Sequence, residues 1–343
     1  MRLGRWYLLA VGIAAAACAS TIGPVVPSIQ VLVVLDSADD TLRVIPVDSP
    51  DVVHKIVLTY PSAAFGRHSL ALNGPIAAIS HGGSVLTANI VTGSATCDVP
   101  ISTTNAIASL AFDNGYVYAA SPASNAAAYF GPFPLCDPGS VVVRGGPRAF
   151  VSARSILFVV AGDIAEAPSW LSTPFTLLDS IPLSLPGHAR GVVLASDGFL
   201  YVINAGNGVQ ANARLSQVDP VNRIEQNVYN GFGTAPQYIA TDGDRVFVAS
   251  AAEGLMVYNT RSKQVERDYN SAIPLFGAPR GLATDDIGRV YALIAGSCSA
   301  TGAQGSIRVF GSDLVSKHDV TVGRCPVAIG VTDIPTTLYN FKN

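Results

Sequence analysis

The sequence predicts an all-β chain: a seven-bladed β-propeller of four-stranded antiparallel blades, its ring closed by N- and C-terminal strands in one blade. Three observations carry that expectation: an apolar, turn-rich composition, a strand-turn-strand unit returning about every 40 to 50 residues, and complementary half-units at the two ends. Of 343 residues 49% are hydrophobic and 13% charged, with 32 Gly and 22 Pro. Core material and turn punctuation are therefore both plentiful, and repeat-built β folds of this size form one domain. The formal net charge of -3 offers no basic field to nucleic-acid phosphates, which excludes nucleic acid as a main partner.

The N-terminus reads as an address. Arg2 and Arg5 precede an apolar run from Trp6 to Ala17, too short for a bilayer core that needs roughly 20 residues but right for a secretory signal. Ala15-Ala16-Ala17-Cys18 resembles a bacterial lipobox, at which the Cys is acylated and the signal removed, although that motif has a larger aliphatic where Ala15 stands. The expected organisation is a lipoprotein signal peptide over residues 1–17, a tether over 18–28, the propeller over 29–333 and a tail over 334–343. Ala19 after the Cys, rather than Asp, favours the outer membrane, so the expected location is the bacterial cell envelope, periplasmic or surface-facing, with the membrane as partner through lipid on Cys18.

Cysteine usage agrees with export. Setting Cys18 aside leaves Cys97, Cys136, Cys298 and Cys325, an even set in an oxidising compartment. Cys97 and Cys136 fall late in successive blades, where outer strands approach. Cys325 opens the mixed blade beside the one holding Cys298. The expected disulfides are therefore Cys97 with Cys136 and Cys298 with Cys325.

The repeat is clearest where Arg190 to Val202 and Arg280 to Ala292 align without a gap. Further copies start at Gln237, Arg148 and Ala108, and a weaker one at His68. Each has an apolar strand after Pro or Ala, a turn with Asp, Asn or Gly, and a second strand with an aromatic among β-branched residues. Four such strands make one propeller blade. Six internal starts leave one blade for the two ends, seven in all, with six or eight as the alternatives because the earlier repeats are degenerate. Cys325 to Val331 looks like a first strand with no successor, and Val31 to Leu35 with Thr41 to Val47 like a blade lacking one. Joining them removes the open edges.

The pattern of Ala278 to Ala292 resembles NHL and YVTN repeats, propeller units of many secreted and envelope proteins, over nearly the whole mature chain but best in the last three blades. The resemblance implies fold rather than activity, because such propellers include binding modules, lyases and lactonases.

Equivalent repeat positions lie on a ring about the axis. The position just after the Pro holds His68, Ala108, Arg148, Arg190, Gln237 and Arg280, so His68, Arg148, Arg190, Gln237 and Arg280 are the candidate ligand-binding residues of a funnel mouth. Guanidiniums with a His and an amide suit a carboxylate, phosphate or acidic sugar. The turn residues Asp113, Asp197, Asp242, Asp285 and Asn73 recur at matching places and read as backbone-bonding turn formers. Asp36, Asp39 and Asp40 lack calcium-loop spacing and read as a solvated hairpin turn. Of His54, His68, His81, His188 and His318, only His68 and His188 sit near strand starts at the supposed mouth. A lyase like the virginiamycin-inactivating propellers needs such a His with a Glu and a metal, and no Glu lies in any first strand. No catalytic residue, metal set or cofactor motif is assigned, and the Gly-rich stretch Asn204 to Gly208 reads as a loop. The expected role is a ligand-binding or protein-interaction scaffold, taking an anionic small molecule or an envelope protein. A hydrolase or lyase acting on a periplasmic or extracellular small molecule is the alternative.

Overall fold

The computed structural model describes residues 27–58, 69–101, 107–143, 145–162, 168–172, 180–186, 188–299 and 301–339. Residues 1–26, which include Cys18, and His68 lie outside them. The described residues are all β, with no helix. Their strands form four-stranded antiparallel sheets, and in all but one of these each strand pairs with its neighbour in sequence. Counted as continuous repeat units the blades number six rather than seven: residues 70–100, 109–142, 147–186, 189–230, 236–267 and 279–321, here blades 1 to 6. The ring is completed by a further four-stranded sheet, the closing blade, assembled from both ends of the chain in the order Pro326–Pro335, Ser28–Asp36, Thr41–Pro46, His54–Val57.

Ser28–Asp36 explains why the ends must meet. It pairs with Pro326–Pro335 on one edge and with Thr41–Pro46 on the other. Its alternate side chains face opposite ways. Leu32 and Val34 pack with Tyr291 and Leu293 of blade 6, whereas Val31 and Val33 pack with Ala77, Ile79 and Ala88 of blade 1. One strand thus joins the last continuous blade to the first. The last strand runs to Pro335, past the expected boundary at 333, and beyond it Tyr339 packs edge-on against His54 of the closing blade.

Within a blade, burial follows radial position. The second strands Leu200–Asn204, Arg245–Ser250 and Val290–Ile294 are buried along almost all their length, because neighbouring blades cover both faces. They therefore read as unbroken apolar and aromatic runs rather than alternating ones. The outermost strand of blade 6, Ser316–Thr321, is exposed at every residue except Val320. The innermost strands Leu70–Asn73, Ser109–Asp113, Pro147–Ala153, Ala189–Leu194, Pro236–Thr241, Pro279–Thr284 and Pro326–Pro335 touch in succession round the axis. All start at one end of the disc, the mouth face, and finish at the other, the turn face.

Both expected disulfides form. Cys97–Cys136 ties blade 1 to blade 2 near the turn face, and Cys298–Cys325 ties blade 6 to the start of the closing strand at the mouth. The expectation of a solvated turn at Asp36, Asp39 and Asp40 is corrected. The Asp36 side chain has no solvent exposure and pairs with Arg43 at 3.2 Å. Asp39 accepts from Arg324 at 2.8 Å and lies 3.5 Å from Arg43. Arg43 reaches back along the hairpin, while Arg324 comes from the chain entering the closing strand, so two cations distant from each other in sequence neutralise the buried Asp36 and the half-buried Asp39. Burial raises the Asp36 carboxyl above its usual value against the pull of Arg43, and the hydrogen bond from Arg324 holds Asp39 below it.

Candidate anion-binding mouth

The repeat position singled out in the sequence has a specific backbone geometry. In blade 3 Pro147 pairs with Ala161 and Ala149 with Val160, so Arg148 is the extra residue of a β-bulge. Arg190, Gln237 and Arg280 are the extra residues of the same bulge in blades 4, 5 and 6. Val327 holds that place in the closing blade. Blades 1 and 2 pair without it. A bulge re-aims one side chain and bends the strand, so a long polar side chain at this position can leave the packed face of the strand. Gln237 and Arg280 are exposed, and Arg148 and Arg190 are half-buried.

The residue after the bulge turns toward the next blade. A Cβ on Gly191 would come within 2.6 Å of the Ile239 side chain, and one on Gly281 within 2.7 Å of Ile329. The Arg-Gly pair of the best repeats therefore has two separate causes: the Arg faces the mouth, and the Gly admits an isoleucine from the neighbouring innermost strand.

Between blades 4 and 5 the mouth holds a pocket of about 60 Å³, lined by His188, Arg190, Ala205, Gly206, Gly208, Ala235, Pro236 and Gln237. One ordered water needs about 10–15 Å³ on this measure, so the space suits a few waters or one carboxylate or phosphate group. The pocket unites Arg190 and Gln237 of the expected set and adds His188. Arg148 and Arg280 occupy the equivalent bulges of blades 3 and 6 but do not line it. His68 lies outside the described residues.

Sequence reasoning missed the pocket's third wall. The Gly-rich stretch after Leu200–Asn204 folds over the pocket because Gly206 and Gly208 adopt φ of 63° and 72°, open to glycine at little cost. The Asn204 side chain accepts from the Gly206 N–H at 2.9 Å, and the Asn207 side chain accepts from the N–H groups of Val209 and Gln210 at 3.1 and 3.0 Å. The legible signal was position: a loop after a second strand returns to the end of the disc where first strands begin.

Glu253 fixes the chain on the opposite wall. Its carboxylate accepts from the Thr234 N–H at 2.8 Å, from the Thr234 hydroxyl at 2.6 Å and from the Ser250 hydroxyl. Burial raises the Glu253 carboxyl, but these hydrogen bonds outweigh it and hold the group below the usual glutamate value. The segment leading to Gln237 is thereby clamped to its own blade. Among the described residues no three His, Cys, Asp or Glu side chains stand close enough to hold a metal ion.

Of the expected turn formers, Asp197, Asp242 and Asp285 accept from backbone N–H groups of their turns, whereas Asp113 accepts from the Asn114 side chain. Asp197 accepts from the Phe199 N–H and from the Tyr201 hydroxyl, at 3.2 and 2.8 Å. Asp285 accepts from the Arg289 N–H and the Tyr291 hydroxyl, both at 2.8 Å, and from the Arg289 guanidinium. These groups order the turn face and take no part in the mouth.

No protein-family model and no curated protein matches the chain. Solved structures do. A streptogramin B lyase superposes with a TM-score of 0.62 at 11% identity, covering 80% of this chain and 89% of its own. Virginiamycin B lyase from Staphylococcus aureus gives 0.60 at 13%, covering 77% and 86%. A quinoprotein alcohol dehydrogenase-like protein from Bacteroides thetaiotaomicron gives 0.62 at 11%, covering 87% and 77%. At such identities the likeness is one of fold: this chain is a β-propeller, similar in architecture to lyases and to a dehydrogenase-like protein.

Proposed function

We propose that the protein is a lipid-anchored propeller of the bacterial cell envelope that binds a small anion at its mouth, its units being of the NHL or YVTN kind. The carrying observation is the pocket between blades 4 and 5, where a guanidinium, an imidazole and an amide converge beneath a glycine loop. Arg190 supplies a fixed charge and a planar fork of donors matched to two oxygens. His188 and Gln237 supply further hydrogen-bonding groups, and the pocket's size selects one carboxylate or phosphate of a larger ligand. The rigid disc holds the loops in place without requiring any of them to react. Two measurements test this. Thermal-shift screening should find carboxylates, phosphates or acidic sugars that raise the melting temperature of the wild type and not of Gln237→Ala. Mass spectrometry of the N-terminal peptide should find acyl chains on Cys18. Indifference to every anion sinks the first half, and an unmodified terminus beyond Cys18 sinks the second.

A second reading, a hydrolase or lyase acting on a periplasmic or extracellular small molecule, draws on His188. An imidazole beside an anion-binding Arg is placed to move a proton on a substrate held by its carboxylate. Turnover abolished by His188→Ala, with ligand still bound, distinguishes the enzyme from the binding module.

A further inference from the structure

We propose that the turn face of the disc lies on the membrane, so that the anion-binding mouth points away from the lipid; this rests on the lipid-anchor reading of Cys18. The chain leaves the propeller at the turn face. The Pro27 carbonyl accepts from both the N–H and the hydroxyl of Thr336, at 2.8 and 3.0 Å, and Ser28 pairs with Pro335. Both ends of the closing blade are therefore pinned at the side opposite the mouth.

Reach then decides the orientation. Ten peptide steps separate Cys18 from Ser28, about 35 Å when fully extended. The strand Ser28–Asp36 crosses the disc from turn face to mouth in nine residues, about 30 Å. A bilayer at the mouth face would need the tether to run back over the whole thickness of the disc, leaving almost none to clear the loops. A bilayer at the turn face requires no such return.

The turn face also has the matching chemistry. Apolar side chains stand out at its hairpin tips: Val221 in blade 4 is 54% exposed, Ile287 and Val315 in blade 6 are 61% and 56%, and Val52 in the closing blade is 44%. Of the charges around them, Arg261 pairs with Asp244, Lys317 with Asp313 and Arg289 with the exposed Asp48, while Arg154, Arg223 and Lys263 stand in hairpins of the same face, whose described turns hold more aspartates than cations. The face therefore has no basic field, and its seating on lipid depends on the tether and the apolar tips rather than on anionic headgroups. The mouth has exposed apolar groups too, Val209 at 81% and Phe276 at 84%, so apolarity alone does not choose between the faces. The position of the chain ends does.

The test uses the full lipidated chain in phosphatidylcholine vesicles, with a fluorophore on Val221→Cys, Val315→Cys or Val209→Cys and bromine-labelled lipid as quencher. The expected result is loss of fluorescence at 221 and 315, none at 209, and no change in high salt. Quenching at 209 alone, equal quenching at all three, or none at any overturns the proposal while leaving the anchor standing. A chain that stays in the supernatant with an unacylated N-terminal peptide overturns the anchor and the orientation together, and the mass of that peptide tells the two failures apart.

Discussion

Blades 4 to 6 and blades 1 to 3 build the same four-stranded unit by different means. In blades 4 to 6 the turn face is latched blade to blade. The Ser196 hydroxyl donates to Asp244 at 2.8 Å, and the Thr284 hydroxyl to the Thr241 carbonyl at 2.6 Å. Arg245 donates to the Ser312 carbonyl at 2.7 Å, and Arg289 to Asp48 of the closing blade at 3.1 Å. Each latch starts from a turn whose Asp is already satisfied. In blades 1 and 2 the link is covalent, Cys97–Cys136. Tyr116, Tyr118 and Tyr129 pack on one another within blade 2, and Tyr118 carries the contact to blade 3, its ring 6.2 Å from that of Phe150. Burial among these groups pushes the Tyr118 phenol up to about 12. One half spends sequence on a repeated polar turn, the other on a disulfide and aromatic packing, and only the first leaves a periodic trace.

If that division is right, the largest loss should come from breaking a latch turn. Asp285 has a fully buried side chain, and Asp285→Ala takes the acceptor from the Tyr291 hydroxyl and leaves the Arg289 guanidinium with the exposed Asp48 alone. Removing one partner of a buried pair costs about 3–5 kcal/mol, to be read by denaturant titration. A loss near that of an exposed residue would show that the turn is not what holds blade 6. Next, Cys97→Ser with Cys136→Ser opens a loop of sequence separation 39 and should cost about 2–4 kcal/mol. Blades 1 and 2 should then lose hydrogen-exchange protection before blades 4 to 6. Uniform loss would mean that the two halves form one cooperative unit.

The same comparison explains what could be read from the sequence. The architecture was legible because second strands are covered on both sides and cannot drift far from apolar and aromatic runs, and because the half-units at Val31 and Cys325 fit each other. Arg148, Arg190, Gln237 and Arg280 were legible as one position because the bulge recurs. Their distribution was not: a repeat position gives radius and height but not which neighbouring loop folds over it. The loop at Asn204 to Gly208 makes a pocket that takes in Arg190 and Gln237 and not Arg148 or Arg280. Asp36 was misread because the chain that covers it, at Gly323 and Cys325, comes from the other end of the sequence.

The smallest effect concerns pH and that ion-pair knot. Asp39, held low by Arg324, contributes stability that is present above its unfolded value near 3.8 and is lost as pH falls through its folded value. Asp36, raised by burial, acts in the opposite sense: its contribution is present below its unfolded value and is lost as pH rises through the folded one. Asp39→Asn should therefore flatten the acid-side fall in melting temperature, and Asp36→Asn should raise stability near neutral pH relative to acid. No difference between the two profiles would show that the pair does not couple to folding.

In the proposed function the mouth binds through one pocket rather than through the ring of bulge residues as a whole. Calorimetric titration of an anion found by screening, against wild type, Arg190→Ala and Arg280→Ala, tests it most directly. Loss of a charge-assisted hydrogen bond worth about 1.5–3 kcal/mol should weaken binding about 10- to 100-fold in Arg190→Ala. Arg280→Ala should bind as the wild type does and melt at its temperature. Equal weakening in the two variants, or unchanged affinity in Arg190→Ala, would contradict it.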